Sequence, residues 1–124
     1  MKTILIVEDN DKNMKLARDV LQAKGYATLE ATTAGEAVSQ TLTHRPDLVL
    51  MDIQLPDFDG VEALRRIRAE PGARHTPVVA FTASVTTADR SRIEDAGFDA
   101  FLAKPIRLRE FLDTIVRLLA EGAS

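Results

Sequence analysis

The chain has 124 residues, 45% of them hydrophobic and 28% charged, with a net charge of −3 and no cysteine. That composition suits one ordinary globular domain and excludes collagenous, mucin-like and disordered chains, while the lack of cysteine excludes disulfides, thiolate metal centres and cysteine nucleophiles. The acidic balance argues against non-specific nucleic-acid binding, and aliphatic runs of four residues, against the ~20 needed to span a bilayer, predict a soluble cytoplasmic protein with no membrane segment.

Thr3–Val7 (TILIV) reads as a strand buried on both faces. The N-terminus opens like a signal peptide but meets Glu8 and Asp9 before the ~7–15 apolar residues that a secretory core requires. From Asp11 to Lys24, apolar residues recur at Met14, Ala17, Val20 and Leu21, a helical stripe capped by Asn10 or Asp11 and stopped by Gly25. Tyr26–Glu30 is a weaker strand. Thr33 and Glu36 have capping-box spacing and open a helix with Ala34, Ala37, Val38 and Leu42 inward. Leu48–Met51 is the third strand. Asp59 caps a helix with Val61, Leu64 and Ile67 buried, ended by Pro71-Gly72. Val78–Phe81 is the fourth strand, and Thr86 starts a helix whose apolar stripe is thin: Ala88, Ile93 and Ala96. After a fifth strand, Ala100–Leu102, the last helix runs from Leu108 to Ala120 with the clearest stripe: Leu108, Phe111, Leu112, Ile115, Leu118 and Leu119.

Strands alternating with helices predict an α/β protein, a flavodoxin-like (βα)5 doubly wound parallel sheet in the order 2-1-3-4-5. Such a sheet binds ligands beyond the carboxyl ends of its strands, where the order reverses between strands 1 and 3. Glu8 and Asp9 follow strand 1, Asp52 follows strand 3, Thr82 follows strand 4, and Lys104-Pro105 closely follows strand 5. An acid after a strand commonly caps the next helix, a threonine there commonly turns the chain, and a lysine before proline is commonly solvated. Four strand ends carrying such groups on one edge make coincidence a poor explanation. Clustered carboxylates repel unless a cation or protons intervene. Residues 1–62 hold eleven acidic against six basic residues, and residues 63–124 hold eight against ten. With oxygen ligands only, a hard ion that keeps waters fits best, and that is Mg²⁺. Beside an ammonium and a hydroxyl, such a cluster suits a phosphoryl group, with one carboxylate attacking phosphorus to give an aspartyl phosphate.

The segments Ile-Leu-Ile-Val-Glu8-Asp9-Asn10, Leu-Met-Asp52-Ile-Gln-Leu-Pro56-Asp-Phe-Asp-Gly60, Phe81-Thr82-Ala83 and Phe101-Leu-Ala-Lys104-Pro105 occur in that order. Together they resemble the receiver domain of two-component response regulators. The resemblance covers roughly residues 2–121, which implies a single receiver domain over 1–124 without an output domain. Within the family, Val-Glu-Asp-Asn-x-x-Asn-Met-Lys-Leu and Leu-Met-Asp-Ile-Gln-Leu-Pro are most similar to stand-alone regulators of cell division and polarity.

The resemblance implies that Asp52 accepts the phosphoryl group. Asp9, Asp52 and the backbone carbonyl of Gln54 would bind Mg²⁺ directly, with Glu8 acting through water. Thr82 and Lys104 would hold the phosphoryl oxygens, and the Lys104–Pro105 peptide would be cis, an isomer that proline makes accessible at ~0.5–1 kcal/mol. Gln54 and Ser84 would flank the path of hydrolytic water. Phe101 occupies the position of the family's aromatic switch, although an ordinary core phenylalanine on a strand would look the same. Thr82 drawn toward a phosphoryl group would vacate space that Phe101 can fill. The thinly anchored fourth helix would move with it. The expected partner surface, formed by the fourth helix, fifth strand and last helix, carries Arg90, Arg92, Glu94, Asp95, Arg107 and Arg109. The implied donor is a sensor histidine kinase or a histidine phosphotransfer protein, and the output is a protein target of what is expected to be a monomer. The chain would be no enzyme beyond its own phosphorylation and dephosphorylation. Competing readings are a haloacid-dehalogenase-type phosphatase with Asp9 of Asp9-Asn10-Asp11 as nucleophile, a flavin carrier, which Glu8 and Asp9 would disfavour by repelling its phosphate, and a phosphate-independent docking scaffold.

Overall fold

Runs of aliphatic residues with no polar alternation form strands covered on both faces, and here they build the middle of a parallel sheet. The structure, a computed structural model, describes residues 1–83 and 87–122, and side chains throughout these except at 87–89 and 121–122. Its elements are β1 (Thr3–Val7), α1 (Asp11–Ala23), β2 (Ala27–Ala31), α2 (Ala34–His44), β3 (Leu48–Asp52), α3 (Gly60–Ala69), β4 (Val78–Thr82), α4 (Thr87–Ala96), β5 (Ala100–Ala103) and α5 (Leu108–Gly122). All strands are parallel in the order β2-β1-β3-β4-β5, the doubly wound topology expected from the sequence.

The period of two along each strand splits the core. Ile4, Ile6, Leu48, Leu50, Val79 and Phe81 face Met14, Ala17 and Leu21 of α1 and Phe111, Ile115, Leu118 and Leu119 of α5. Leu5, Val7, Val49, Met51 and Val78 face Ala34 and Ala37 of α2 and Ala63, Leu64 and Ile67 of α3. A small third cluster, Ile53, Ala80 and Ile93, lies under α4, with Phe101 packed at its side. Among the described side chains of α4, Ile93 is the buried anchor, worth about 1.5–3 kcal/mol. Ala96 is half-buried, whereas Thr86 and the Ala88 side chain lie outside the described residues.

Register brings the strand ends to one edge: Asp52 lies opposite Phe81, and Thr82 opposite Ala103. β3, β4 and β5 each run one residue further than the apolar pattern predicts, because the ladder continues through Asp52, Thr82 and Ala103. β2 is displaced by one residue. The Tyr26 amide donates to the Leu21 carbonyl at 3.1 Å and so belongs to the turn that closes α1. Asn10 is the cap of α1, its Oδ1 accepting from the amides of Lys12 and Asn13, both at 3.0 Å. Two details of the helical stripes differ from expectation. Leu108, in the first turn of α5, is 55% exposed, and Thr41 is buried on α2 with its hydroxyl donating to the Ala37 carbonyl at 2.7 Å. Among the described residues, no helix is long and apolar enough to cross a membrane.

Candidate functional site

At the edge where the strands finish, four polar residues continue an apolar framework. Glu8, Asp52 and Thr82 are 3%, 4% and 1% exposed, whereas Asp9 is open to solvent. Asn10 rather than Asp9 caps α1, so helix capping does not account for Asp9. Lys104 arrives from the far side of the sheet. Its amide donates to the Thr82 carbonyl at 2.9 Å, prolonging the β4–β5 ladder, and the Lys104–Pro105 peptide is cis. The Lys104 ammonium donates to Glu8 Oε2 at 2.6 Å and to Asp52 Oδ2 at 3.2 Å, and lies 5.1 Å from the centre of the Phe81 ring.

The remaining carboxylate oxygens are held by backbone. The Gln54 amide donates to Asp52 Oδ1 at 3.1 Å, and the Asn10 amide to Glu8 Oε1 at 3.2 Å. Burial, and after it the charge of Glu8, pushes the Asp52 carboxyl up to about 6, against the opposing pull of Lys104 and the Gln54 amide. One oxygen from each of Glu8, Asp9 and Asp52 lies within 4.8 Å of the others. Three acids at that separation with one ammonium leave an excess of negative charge, and an all-oxygen donor set fits a hard divalent cation such as Mg²⁺.

The connection from β3 to α3 is held in place by its own side chains. Asp59 caps α3, its Oδ1 accepting from the Glu62 amide at 2.9 Å, while its Oδ2 accepts from Arg92 of α4 at 2.8 Å. These partners overcome partial burial and keep the Asp59 carboxyl below its ordinary value. Gly60 is required by close approach. A Cβ there would stand 2.5 Å from the Asp52 carbonyl oxygen and 3.1 Å from Ile53 Cα. Asp57, not singled out by sequence, accepts from the amides of Ala34 and Gly35 at 2.9 and 2.8 Å. Its acceptors are 22 and 23 residues from their donors, so no local pattern announces it; a short acid after Pro56 is the one available hint.

Phe101 lies opposite Ala80, and two residues further along β4 the same sheet face carries Thr82. Phe101 is half-buried beside Ile93, and the Arg90 guanidinium sits 5.1 Å from its ring centre while also donating to Glu94 at 3.1 Å. All six charged residues expected on the partner surface are exposed. Arg90 and Glu94 gather at Phe101. Arg92 turns toward α3, and Arg109 lines a cavity of about 400 Å³ with Lys24, Tyr26, Leu112, Asp113 and Val116 on the α1 side of α5. Ser84 lies outside the described residues.

Residues 4–116 match the model of the response regulator receiver domain family. The chain is a response regulator receiver domain. The polar-differentiation response regulator DivK of Brucella anthropi is 42% identical over 121 residues, 98% of each chain, and DivK of Brucella ovis is equally similar. Among solved structures, the receiver domain of a Pseudomonas aeruginosa sensor histidine kinase, crystallised with a magnesium ion coordinated in its active-site cleft, superposes with a TM-score of 0.90 at 34% identity, covering 96% of this chain and 98% of that one. A CheY-like receiver domain protein from Methanospirillum hungatei gives 0.89 at 30% identity over 99% and 97%. The receiver is therefore a signalling protein homologous to DivK, of a family that binds Mg²⁺ in its active site and interacts with histidine kinases and downstream partners. Its acidic cluster is compatible with Mg²⁺ and with phosphoryl acceptance. Asp9-Asn10-Asp11 then joins β1 to α1 of a receiver domain.

Proposed function

We propose that this receiver is a phosphorylation switch in which Asp52 accepts a phosphoryl group from a phosphohistidine on a sensor histidine kinase or a histidine phosphotransfer protein. The observation that carries it is the buried Asp52 carboxylate at the end of β3, held by the Gln54 amide on one oxygen and the Lys104 ammonium on the other. Asp9, Asp52 and the Gln54 carbonyl would bind Mg²⁺ directly, and Glu8 through water. The ion, when bound, neutralises phosphoryl oxygens as charge shifts in the transition state.

The chain's own residues do the rest. An Asp52 oxygen forms the bond to phosphorus as the P–N bond of the donor breaks, and the donor imidazole leaves with that electron pair and takes a proton from solvent. Lys104 and Thr82 bind the transferred oxygens, and water later cleaves the acyl phosphate past Gln54. In this sense the receiver catalyses only its own phosphorylation and dephosphorylation. Thr82 drawn toward the phosphoryl group makes room on its sheet face for Phe101, and α4, anchored by Ile93, adjusts with it. The surface of α4, β5 and α5 then presents Arg90, Arg92, Glu94, Asp95, Arg107 and Arg109 to a protein target. Similarity to DivK favours a cytoplasmic, monomeric regulator of polarity or cell division, with residues 1–124 acting as one domain.

The test is incubation with a small acyl-phosphate donor and Mg²⁺, followed by intact-mass and peptide mapping. One phosphoryl group labile to hydroxylamine on Asp52, absent from Asp52→Asn and from samples with chelator, is expected. An adduct on Asp9 would transfer the chemistry to the phosphatase reading, and no adduct at all would leave a docking scaffold.

A further inference from the structure

The β3–α3 connection, residues 53–59, carries the backbone that touches the acceptor. Its Gln54 amide donates to Asp52 Oδ1 at 3.1 Å, and the next atoms along the chain are the Gln54 carbonyl. Any displacement of this segment therefore moves two groups of the site together. Its near end is fixed by the Gly60 amide, which donates to the Ile53 carbonyl at 2.9 Å. Further along, Leu55 and Phe58 are only half-buried against the α2–α3 side of the core, so packing alone constrains it loosely.

The strongest polar restraint lies outside the connection's own hairpin. Asp57 sends one oxygen to the Ala34 amide at 2.9 Å and the other to the Gly35 amide at 2.8 Å. Two charge-assisted bonds from one carboxylate fix its orientation as well as its distance. Ala34 is fully buried, so the anchor point is part of the core rather than a fraying end. Asp57 is exposed, and the slight desolvation that it meets is outweighed by the amides of Gly35, Ala34, Phe58 and Asp57 itself, which hold its carboxyl below the ordinary value. The Thr33 hydroxyl caps α2 at the Glu36 amide, 3.1 Å away, and Asp57 takes the Ala34 and Gly35 amides, so the local cap and the long-range tie use different donors. Gly35 is shaped to the contact: a Cβ there would lie 3.2 Å from Asp57 Oδ2.

We propose that Asp57 is a positioning residue for phosphoryl transfer, tying the backbone at Gln54 to the N-terminus of α2 so that amide and carbonyl are held ready at Asp52. The proposal rests on Asp52 being the acceptor. It makes the β2–α2 turn a supporting wall of the site, beside Ala31, whose carbonyl accepts from the Glu8 amide at 3.0 Å.

Three variants separate positioning from plain stability. Asp57→Ala removes the tie, Thr33→Ala removes the local cap of α2 and leaves the tie, and Gly35→Ala crowds the carboxylate while favouring helix. For each, Mg²⁺ affinity is measured by calorimetry, the rate of phosphorylation by acetyl phosphate at saturating Mg²⁺, the Tm, and the ¹⁵N–¹H resonance of Gln54 in metal-free protein. Asp57→Ala is expected to weaken Mg²⁺ binding and slow phosphorylation each roughly 10-fold, the scale of losses when groups behind metal ligands are removed, and to shift the Gln54 resonance. Gly35→Ala should change both in the same direction, whereas Thr33→Ala should lower the Tm and leave both within about twofold. Wild-type behaviour of Asp57→Ala, or equal losses in Thr33→Ala, would overturn the proposal. If the wild type takes neither Mg²⁺ nor phosphoryl, the assignment of Asp52 fails instead. An unmoved Gln54 resonance in metal-free Asp57→Ala then still overturns the positioning role.

Discussion

The Lys104 ammonium lies 2.6 Å from Glu8 and 3.2 Å from Asp52, bonded more closely to the neighbouring acid than to the proposed acceptor. Glu8 thus affects Asp52 twice, by its charge and by its claim on the shared cation. Glu8→Gln removes the charge and frees the ammonium for Asp52. The Asp52 carboxyl, pushed up to about 6 by burial and then by Glu8, should fall by about one pH unit or more, equivalent to ~1.4 kcal/mol per unit. A ¹³C carboxyl titration reads this directly; an unchanged or higher value would refute the relationship.

The raised Asp52 carboxyl makes stability depend on pH with a definite sign. Unfolded, the group titrates near 3.8, and folded near 6, so between these values the native chain holds a proton that the unfolded chain has lost. Its contribution is fully present below about pH 4 and is lost as pH rises through 6. Asp52→Asn, neutral throughout, should therefore melt higher than wild type at pH 7.5 in chelator, by about 3–6 °C for each ~1 kcal/mol of the cost that it removes. The gap should close as pH falls below 6. A gap that is the same at both pH values would contradict burial as the leading cause.

Lys104 is only 11% exposed and serves two buried carboxylates. Lys104→Ala leaves both without their cation, and such a loss costs about 3 kcal/mol. Urea unfolding should show it in full above pH 6 and less below, where Asp52 can protonate. Phosphorylation by acetyl phosphate should slow as well, since the phosphoryl oxygens lose a partner.

Gly60→Ala places a methyl group 2.5 Å from the Asp52 carbonyl oxygen, a backbone atom that cannot swing aside as a side chain would. The end of β3 or the start of α3 must shift, at a cost of about 1–3 kcal/mol. Chemical denaturation measures the loss, and the rate of acetyl-phosphate labelling should fall because Asp52 itself is displaced. Full labelling with unchanged stability would show that the contact yields freely.

Arg92 joins α4 to the cap of α3 through Asp59, on a helix whose buried anchor among the described side chains is Ile93. An exposed ion pair contributes ~0.2–1 kcal/mol, so Arg92→Ala should speed amide hydrogen exchange across α4 about two- to fivefold without changing exchange in β1. If α4 exchange is unaltered, the pair restrains nothing.

The order of elements was legible because apolar runs and helical stripes are short-range signals, and receiver motifs brought Glu8, Asp9, Asp52, Thr82 and Lys104 to one sheet edge in advance. What the sequence hid was of two kinds. Polarity at Asp52 and Thr82 looks like the end of a strand, yet both remain in the ladder, because a site at the sheet edge buries polar side chains on strand backbone. Pairings across long separations were also invisible: Lys104 with Glu8, 96 residues apart, Arg92 with Asp59, 33 apart, and Asp57 with the start of α2. Leu108 shows the reverse error. Its place in a helical stripe is real, but it faces an open cavity beside Val20 and Ala23 of α1 and stays 55% exposed.

β1, β3 and β4 are almost completely buried, whereas β5, at the border of the sheet, keeps Ala100 and Phe101 half-buried. The acids therefore stand at the ends of closely packed central strands, and the proposed switch ring hangs from a border strand. Under the proposed function, such a division would keep the chemistry in register through every cycle while the outer surface changes shape. It also makes the reporting face the part most open to evolutionary retuning, since residues there can be exchanged without disturbing the bonds that hold Asp52.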